Sequence, residues 1–331
     1  MAIIDLLMLL GVAALWGASF LFMRQAVSVL GPIPMIEARV LVAGLGLLLV
    51  AVIMRRVPNF RRDLWGFLVL GALMAAVPFT LIAAAELKIT ASLAAILNAT
   101  TPLFALLVTS VRQGTRPSRT QLSGVVLGVA GVTVLVGLGP LHLDGMLILA
   151  ALASLCASLF YALGGVYAKV RFSGTHPLVT TTGQQLGAAV CLLLPTLALP
   201  PRHPVTGGIV LAVLALALAC TALGFALFFH LVNRVGPTGA LTVTFFVPLF
   251  GLLYGTAFLG EPLSWSTPLG MSLVLGAVFL VTERRSATRG DAAPGRSATS
   301  TGWTPDRRSS HRSGPGRRRR RRPAGAPGRR R

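Results

Sequence analysis

Charged side chains are so sparse in the apolar parts of this 331-residue chain that the few found there are the groups able to do chemistry. Glu37 and Arg39 fall inside the second apolar run, Glu86 and Lys88 between the third and the fourth, and Arg24 at the end of the first. An ionisable group placed in hydrocarbon costs roughly 3 kcal/mol on insertion scales, so one kept there usually faces a wet cavity or a partner. Glu37, Arg39 and Glu86 are therefore candidates for gating a passage or carrying a coupled proton. The plainer alternative is that all five snorkel to one interface and form structural ion pairs.

Uncharged polar groups form a second set. Asn98, Thr100 and Thr101 precede Pro102, and Thr242 and Thr244 precede Pro248. Proline lacks an N–H, so both positions are expected to kink a helix and free carbonyls that could line a cavity. Gln184 and Gln185 lie in the seventh apolar run, and Trp16, Phe79, Tyr161 and Phe225 could wall a cavity with aromatic surface. The candidate substrate-binding residues are thus Trp16, Asn98, Thr101, Tyr161, Gln184, Gln185 and Thr244. Each has a structural alternative: threonines bond their own backbone, amides stitch helices together, and aromatics pack.

Other chemistries find no pattern. Neither lysine, Lys88 or Lys169, follows a P-loop glycine pattern, and the cysteines Cys156, Cys191 and Cys220 lack ligand-like spacing. No H-E-x-x-H is present and the acids lie mostly at the ends of apolar runs, so no catalytic residue, metal or cofactor is expected.

The elements that must position these groups are membrane spans. The chain is 54% hydrophobic and 12% charged, against roughly 25% charged in soluble proteins. Ten apolar runs of spanning length can be read: Leu6 to Met23, Ile33 to Met54, Leu64 to Ala85, Ile89 to Val111, Leu122 to Leu138, Met146 to Ala168, Leu178 to Leu199, Ile209 to Val232, Ala240 to Leu259 and Leu263 to Val281. With the N-terminus inside, ten basic residues fall in inside loops and three (Arg24, Lys88, Arg202) outside, which predicts a multi-pass inner or plasma membrane protein with both termini cytoplasmic.

The chain also resembles itself at an offset of 146 residues. Pro102-Leu103-Phe104 returns as Pro248-Leu249-Phe250, Gly114 as Gly260, Ser118 as Ser264 and Phe79 as Phe225. Five spans per copy is an odd number, so the second copy inserts upside down. Inverted repeats around a midplane site are an architecture of secondary transporters. The predicted fold is all-α: ten transmembrane helices in two inverted repeats, residues 1–138 and 144–283, with a basic tail of residues 284–331.

Leu15-Trp16-Gly17-Ala18-Ser19-Phe20, Glu37-Ala38-Arg39, the alanine-rich approaches to Pro102 and Pro248, and Gly260-Glu261-Pro262-Leu263-Ser264 together resemble the drug/metabolite transporter superfamily, in its ten-span branch with two EamA-type domains. That resemblance implies an inner-membrane carrier, commonly an exporter of amino acids, other metabolites or drugs; the inverted repeat adds the expectation of alternating access, driven by a proton or another gradient. Two departures stand out: the first copy has Gly114-Thr115 where Gly-Glu is common, and Cys156 stands where a tryptophan like Trp16 is often seen. An intramembrane enzyme using Glu37, Glu86 or His230, and a non-transporting scaffold, are the alternative functions.

The expected partners are a small-molecule substrate and the lipid bilayer. The spacings Gly124-x3-Gly128 and Gly251-x3-Gly255 suit close helix packing within one subunit or across a homodimer. The tail holds 16 of the 30 basic residues and lacks the apolar content to fold, so it is expected to be disordered. Its charge suits anionic lipid, and no specific nucleic acid is expected.

Overall fold

The computed structural model describes residues 3–139 and 142–290, with backbone alone at 237–238 and 283–290. The expected disordered segment, from 291 onward, lies outside the described residues. Ten helices follow one another: α1 (Ile3–Leu30), α2 (Pro32–Ile53), α3 (Phe60–Ala85), α4 (Ala91–Gln113), α5 (Arg119–Gly137), α6 (Gly145–Arg171), α7 (Pro177–Leu197), α8 (Gly207–Gly236), α9 (Gly239–Leu259) and α10 (Ser266–Gly290). The first nine are long and apolar enough to cross a bilayer; the tenth has a shorter apolar stretch, Ser266–Thr282. Its backbone stays helical to Gly290, past the boundary expected at Glu283.

Two interruptions follow from side chains that compete with the helix. In α4 the helix stops after Asn98 and restarts at Thr101. Pro102 offers no N–H to the Asn98 carbonyl, which instead accepts the Thr101 hydroxyl at 2.7 Å. The kink expected at Pro102 is thus realised as a break. Pro248 behaves differently: the helix runs through it, and the irregular residue is Thr242, whose hydroxyl donates to the Gly239 carbonyl at 2.7 Å. The symmetric kink expected at Pro248 is therefore displaced toward the start of α9.

Two further irregularities are matched between the repeats. A π-helical segment occupies Ala72–Ala76 in α3 and another Ala215–Leu223 in α8. Shifted by 146, the first falls inside the second. Short π segments are rare and often mark functional positions. Gly114 and Gly260, also repeat mates, end α4 and α9 with φ of 62°. Gly260→Ala should cost about 1 kcal/mol, because a Cβ disfavours this left-handed geometry. The melting temperature of the detergent-solubilised protein should fall by a few degrees, and an unchanged value would contradict the reading.

The halves interlock. The principal contacts run between repeats: α5 on α10, α2 on α7, α4 on α9, and the matched pairs α1 on α9 with α4 on α6, α3 on α7 with α2 on α8, and α1 on α8 with α3 on α6. Every one of these maps onto itself or onto its partner pair when the repeats are exchanged, as a pseudo-two-fold axis requires. In lipid no hydrophobic drive joins helices, so close approach comes from small residues. Gly124, Gly128 and Gly131 of α5 meet α10 around Ala277, Val274 and the Gly270 carbonyl, while Gly251 and Gly255 of α9 meet Ala95 and Ser92 of α4. Both expected glycine spacings therefore serve packing within the subunit.

Loop contacts assign the faces. Asp63 at the start of α3 pairs with Arg171 at the end of α6, and Asp5 of α1 with Arg234 of α8. On the opposite side, the Arg202 amide donates to the Val29 carbonyl at 2.8 Å, joining the α7–α8 and α1–α2 connections. The side on which α1 begins is called the near face and the other the far face.

Candidate functional site

The π segment of α8 sets up the central polar contact. Winding by five residues brings the Leu216 carbonyl under Thr221, whose hydroxyl donates to it at 2.8 Å. With its proton committed, Thr221 Oγ1 is left as an acceptor, and Arg39 Nε donates to it at 3.0 Å. The same guanidinium stacks on the Phe79 ring, 3.8 Å from its centroid, and points Nη1 at Met23 Sδ, 3.2 Å away. Arg39 is buried, within electrostatic reach of Tyr161 and Glu86. Four helices, α1, α2, α3 and α8, thus converge on one cation with ligands from both repeats.

Aromatic pairs recur symmetrically in the two repeats, one of them at this centre. Trp16 of α1 meets Phe225 of α8 edge to face at 5.7 Å and 64°, and Tyr161 of α6 meets Phe79 of α3 at 6.1 Å and 66°. Phe79 and Phe225 are repeat mates, and each pair joins the first span of one repeat to the third of the other. Trp16 also touches Phe228 at 5.1 Å. Gly224 lies against the indole, where a Cβ would crowd Nε1.

The polar groups break the symmetry. Arg39 corresponds to Gln185, and its acceptor Thr221 corresponds to Ala75, which has no hydroxyl. Gln185 is fully buried and neither amide atom has a hydrogen-bond partner among the described residues. Its neighbour Gln184 is buried as well. Glu37 and Glu86 correspond to Gly183 and Val232, so the buried charges all belong to the first repeat. Glu86 is fully buried with no donor on either carboxylate oxygen, and Glu37 Oε2 is likewise unpartnered. Glu86 feels the charges of Arg24, Arg39 and Glu261. The ion pairs expected as the plain alternative for Arg24, Glu37, Arg39, Glu86 and Lys88 do not form: among the described residues the two ion pairs within 4.0 Å are those at the near face.

Asn98, at the break in α4, is partly buried with an unpartnered Oδ1. Thr101 and Thr244 spend their hydroxyls on the carbonyls of Asn98 and Leu241, at 2.7 and 2.8 Å. Both fit the backbone role better than ligand binding. The structure therefore sets Arg39 on the Phe79 ring with Tyr161 and Glu86 in electrostatic range, while Trp16 packs on Phe225 and Phe228.

Met23 and Thr221 were missed as site residues. The sequence carried one clue to Thr221, a hydroxyl isolated within the apolar stretch Leu216 to Leu223. Glu261 has a role of its own on the far face. Its carboxylate accepts the Ala91 amide at 2.6 Å, the Ser92 amide at 3.0 Å and the Ser92 hydroxyl, capping the start of α4 from the opposite repeat.

The chain is similar to known membrane carriers along most of its length. The model of the EamA-like transporter family matches residues 3–137 and 148–283. An uncharacterized inner membrane transporter of Escherichia coli, YedA, is 28% identical over 274 residues, spanning 81% of this chain and 87% of the relative. The uncharacterized transporter YoaV of Bacillus subtilis is 21% identical over 83% of this chain and 95% of its own. Protein PecM of Dickeya dadantii is 28% identical over 66% and 73%. A solved crystal structure shares the fold with a TM-score of 0.61 and 20% identity, covering 86% of this chain and 98% of its own.

Proposed function

Because this chain belongs to the EamA-like transporter family and is a multi-pass membrane transporter, we propose that it exports a small amphiphilic metabolite or drug across the cell membrane by proton-coupled alternating access. The near face is then cytoplasmic, with both termini, as the basic residues of its loops favour. The observation that carries this reading is the Arg39 centre, where both repeats supply ligands to one cation at the crossing of the interlocked halves. A substrate would lie beside Arg39 between the Trp16–Phe225 and Phe79–Tyr161 pairs, its polar group reaching the unpartnered atoms of Gln185 or Asn98.

Direction and coupling follow from the asymmetry. By the repeat symmetry, charged groups confined to the first repeat leave their uncharged mates toward the opposite face. A carboxyl group far from water and from any donor is tolerated only when its charge is cancelled, by a proton or by a cation. In this proposal Glu86, at the far end of α3, takes that proton from outside, which suits exchange of an entering proton for a leaving substrate.

Flux into and out of proteoliposomes, with and without a pH gradient, tests the proposal. Glu86→Gln should reduce gradient-driven accumulation about tenfold or more while leaving gradient-free exchange within about twofold, as expected for loss of a relay carboxyl alone. Equal loss of both activities would place Glu86 in substrate binding, and loss of neither would remove it from coupling.

A further inference from the structure

The connections at the two faces are unequal. At the near face the repeats are tied by Asp63–Arg171 and Asp5–Arg234, in which both arginine side chains are roughly half exposed; such pairs hold weakly. At the far face Glu261 gives its carboxylate to two backbone amides and one hydroxyl at the start of α4. Hydrogen bonds to an ionised acceptor are roughly twice as strong as neutral ones, and the α4 N-terminus adds its dipole. The parts needed are local and specific. Gly260, at φ 62°, turns the chain out of α9, and the Glu261 amide then donates to the Gly255 carbonyl at 3.1 Å. Glycine at 255 leaves room for these bonds, since a Cβ there would fall on Glu261 Oε2 and Ser92 Oγ and push them aside. The space remaining, bordered by Thr90, Ser92, Leu135, Leu252, Glu261 and Thr267, is about 20 Å³, room for about one water.

Of these parts the left-handed glycine recurs at the mirror position, as Gly114, but the carboxylate, its glycine seat and one of its two amide donors do not. Glu261 corresponds to Thr115, Gly255 to Thr109, and Ala91 to Pro237, which has no N–H to give. The departure from the family pattern at Gly114-Thr115 thus coincides with loss of one of the two amide donors that a carboxylate there would use.

We propose that Glu261 is the latch of the far gate: its bonds to Ala91 and Ser92 hold the far face closed in this conformation, and they must release for the passage to open on that side. This rests on the alternating-access reading for its meaning, but its test needs no substrate. In the full-length chain, a cysteine introduced at Thr267, beside the latch, reports the far face, and one at Thr242, one turn into α9, reports the near face. A hydrophilic maleimide supplied on both sides measures their reactivity, with labelling of Cys156, Cys191 and Cys220 subtracted using protein that lacks the introduced cysteine.

Glu261→Ala should raise the reactivity of Cys at 267 about fivefold or more and lower that at 242, because opening one face closes the other. Ser92→Ala, which spares both backbone bonds, should give a smaller change in the same directions and serves if Glu261→Ala does not fold. Glu261→Gln should fall between parent and Glu261→Ala. Unchanged reactivity at 267 overturns the latch. A rise at both sites also overturns it, since that describes a helix cap whose loss loosens the bundle. If the latch result holds while no solute is moved, the gate stands and the transport assignment fails.

Discussion

Arg39→Ala should leave folded protein in the membrane at near-normal levels and reduce transport about a hundredfold. Arg39 has no carboxylate within 4.0 Å among the described residues, so its removal strands no counter-charge and takes its own desolvation cost with it. The hydroxyl it leaves behind is not orphaned: Thr221 keeps its bond to the Leu216 carbonyl. What vanishes is the polar centre joining α1, α2, α3 and α8, including a desolvated cation–π contact of about 2 kcal/mol. Arg39→Lys should lose most activity too, since an ammonium cannot both stack on Phe79 and donate sideways to Thr221. Melting of purified protein together with proteoliposome flux checks both. A variant that folds and transports normally would move the substrate site away from Arg39.

Gly187→Leu should have the opposite signature, with almost no folded protein recovered. An ideal Cβ on Gly187 would fall on the backbone of Phe67, and one on Gly71 would fall on the backbone of Ala188. Here α3 and α7 touch main chain to main chain, so no side chain can move aside. Overpacking with a yielding neighbour costs roughly 1 to 3 kcal/mol, and this contact should exceed that range. Gly165→Leu provides the control, because a Cβ at Gly165 meets nothing within 4 Å and the residue is exposed. Its stability should stay within about 0.5 kcal/mol of the parent. Size-exclusion profiles of detergent extracts separate the two outcomes.

Nine spans and a shorter tenth helix were legible because hydrocarbon demands long apolar stretches, and the 146-residue offset pairs Phe79 with Phe225, which sit in matching aromatic pairs. Helix ends were less legible. α1 runs past Arg24 and Gln25 to Leu30, and α3 starts at Phe60 before Arg61, Arg62 and Asp63. At the membrane rim, polar side chains reach water without ending the helix. The π segments left no trace in composition, since alanine and leucine tolerate either winding and the choice depends on the neighbours. For the same reason the sequence could not show that Thr221, rather than Glu37 or Glu86, holds Arg39. The break in α9 was misplaced because Thr242 and its hydroxyl outweigh Pro248 there.

The exchange-symmetric packing has a consequence for how the molecule is made. A nascent chain emerging from the ribosome inserts α1 to α5 before α7 or α10 exists, so α2 and α5 must wait among lipids without their main neighbours. Two polypeptides cut in the α5–α6 connection should therefore assemble when co-expressed, and each alone should be degraded. The self-paired contacts α2 on α7, α4 on α9 and α5 on α10 are those that two copies of a five-helix ancestor, inserted in opposite senses, would have made before their genes fused.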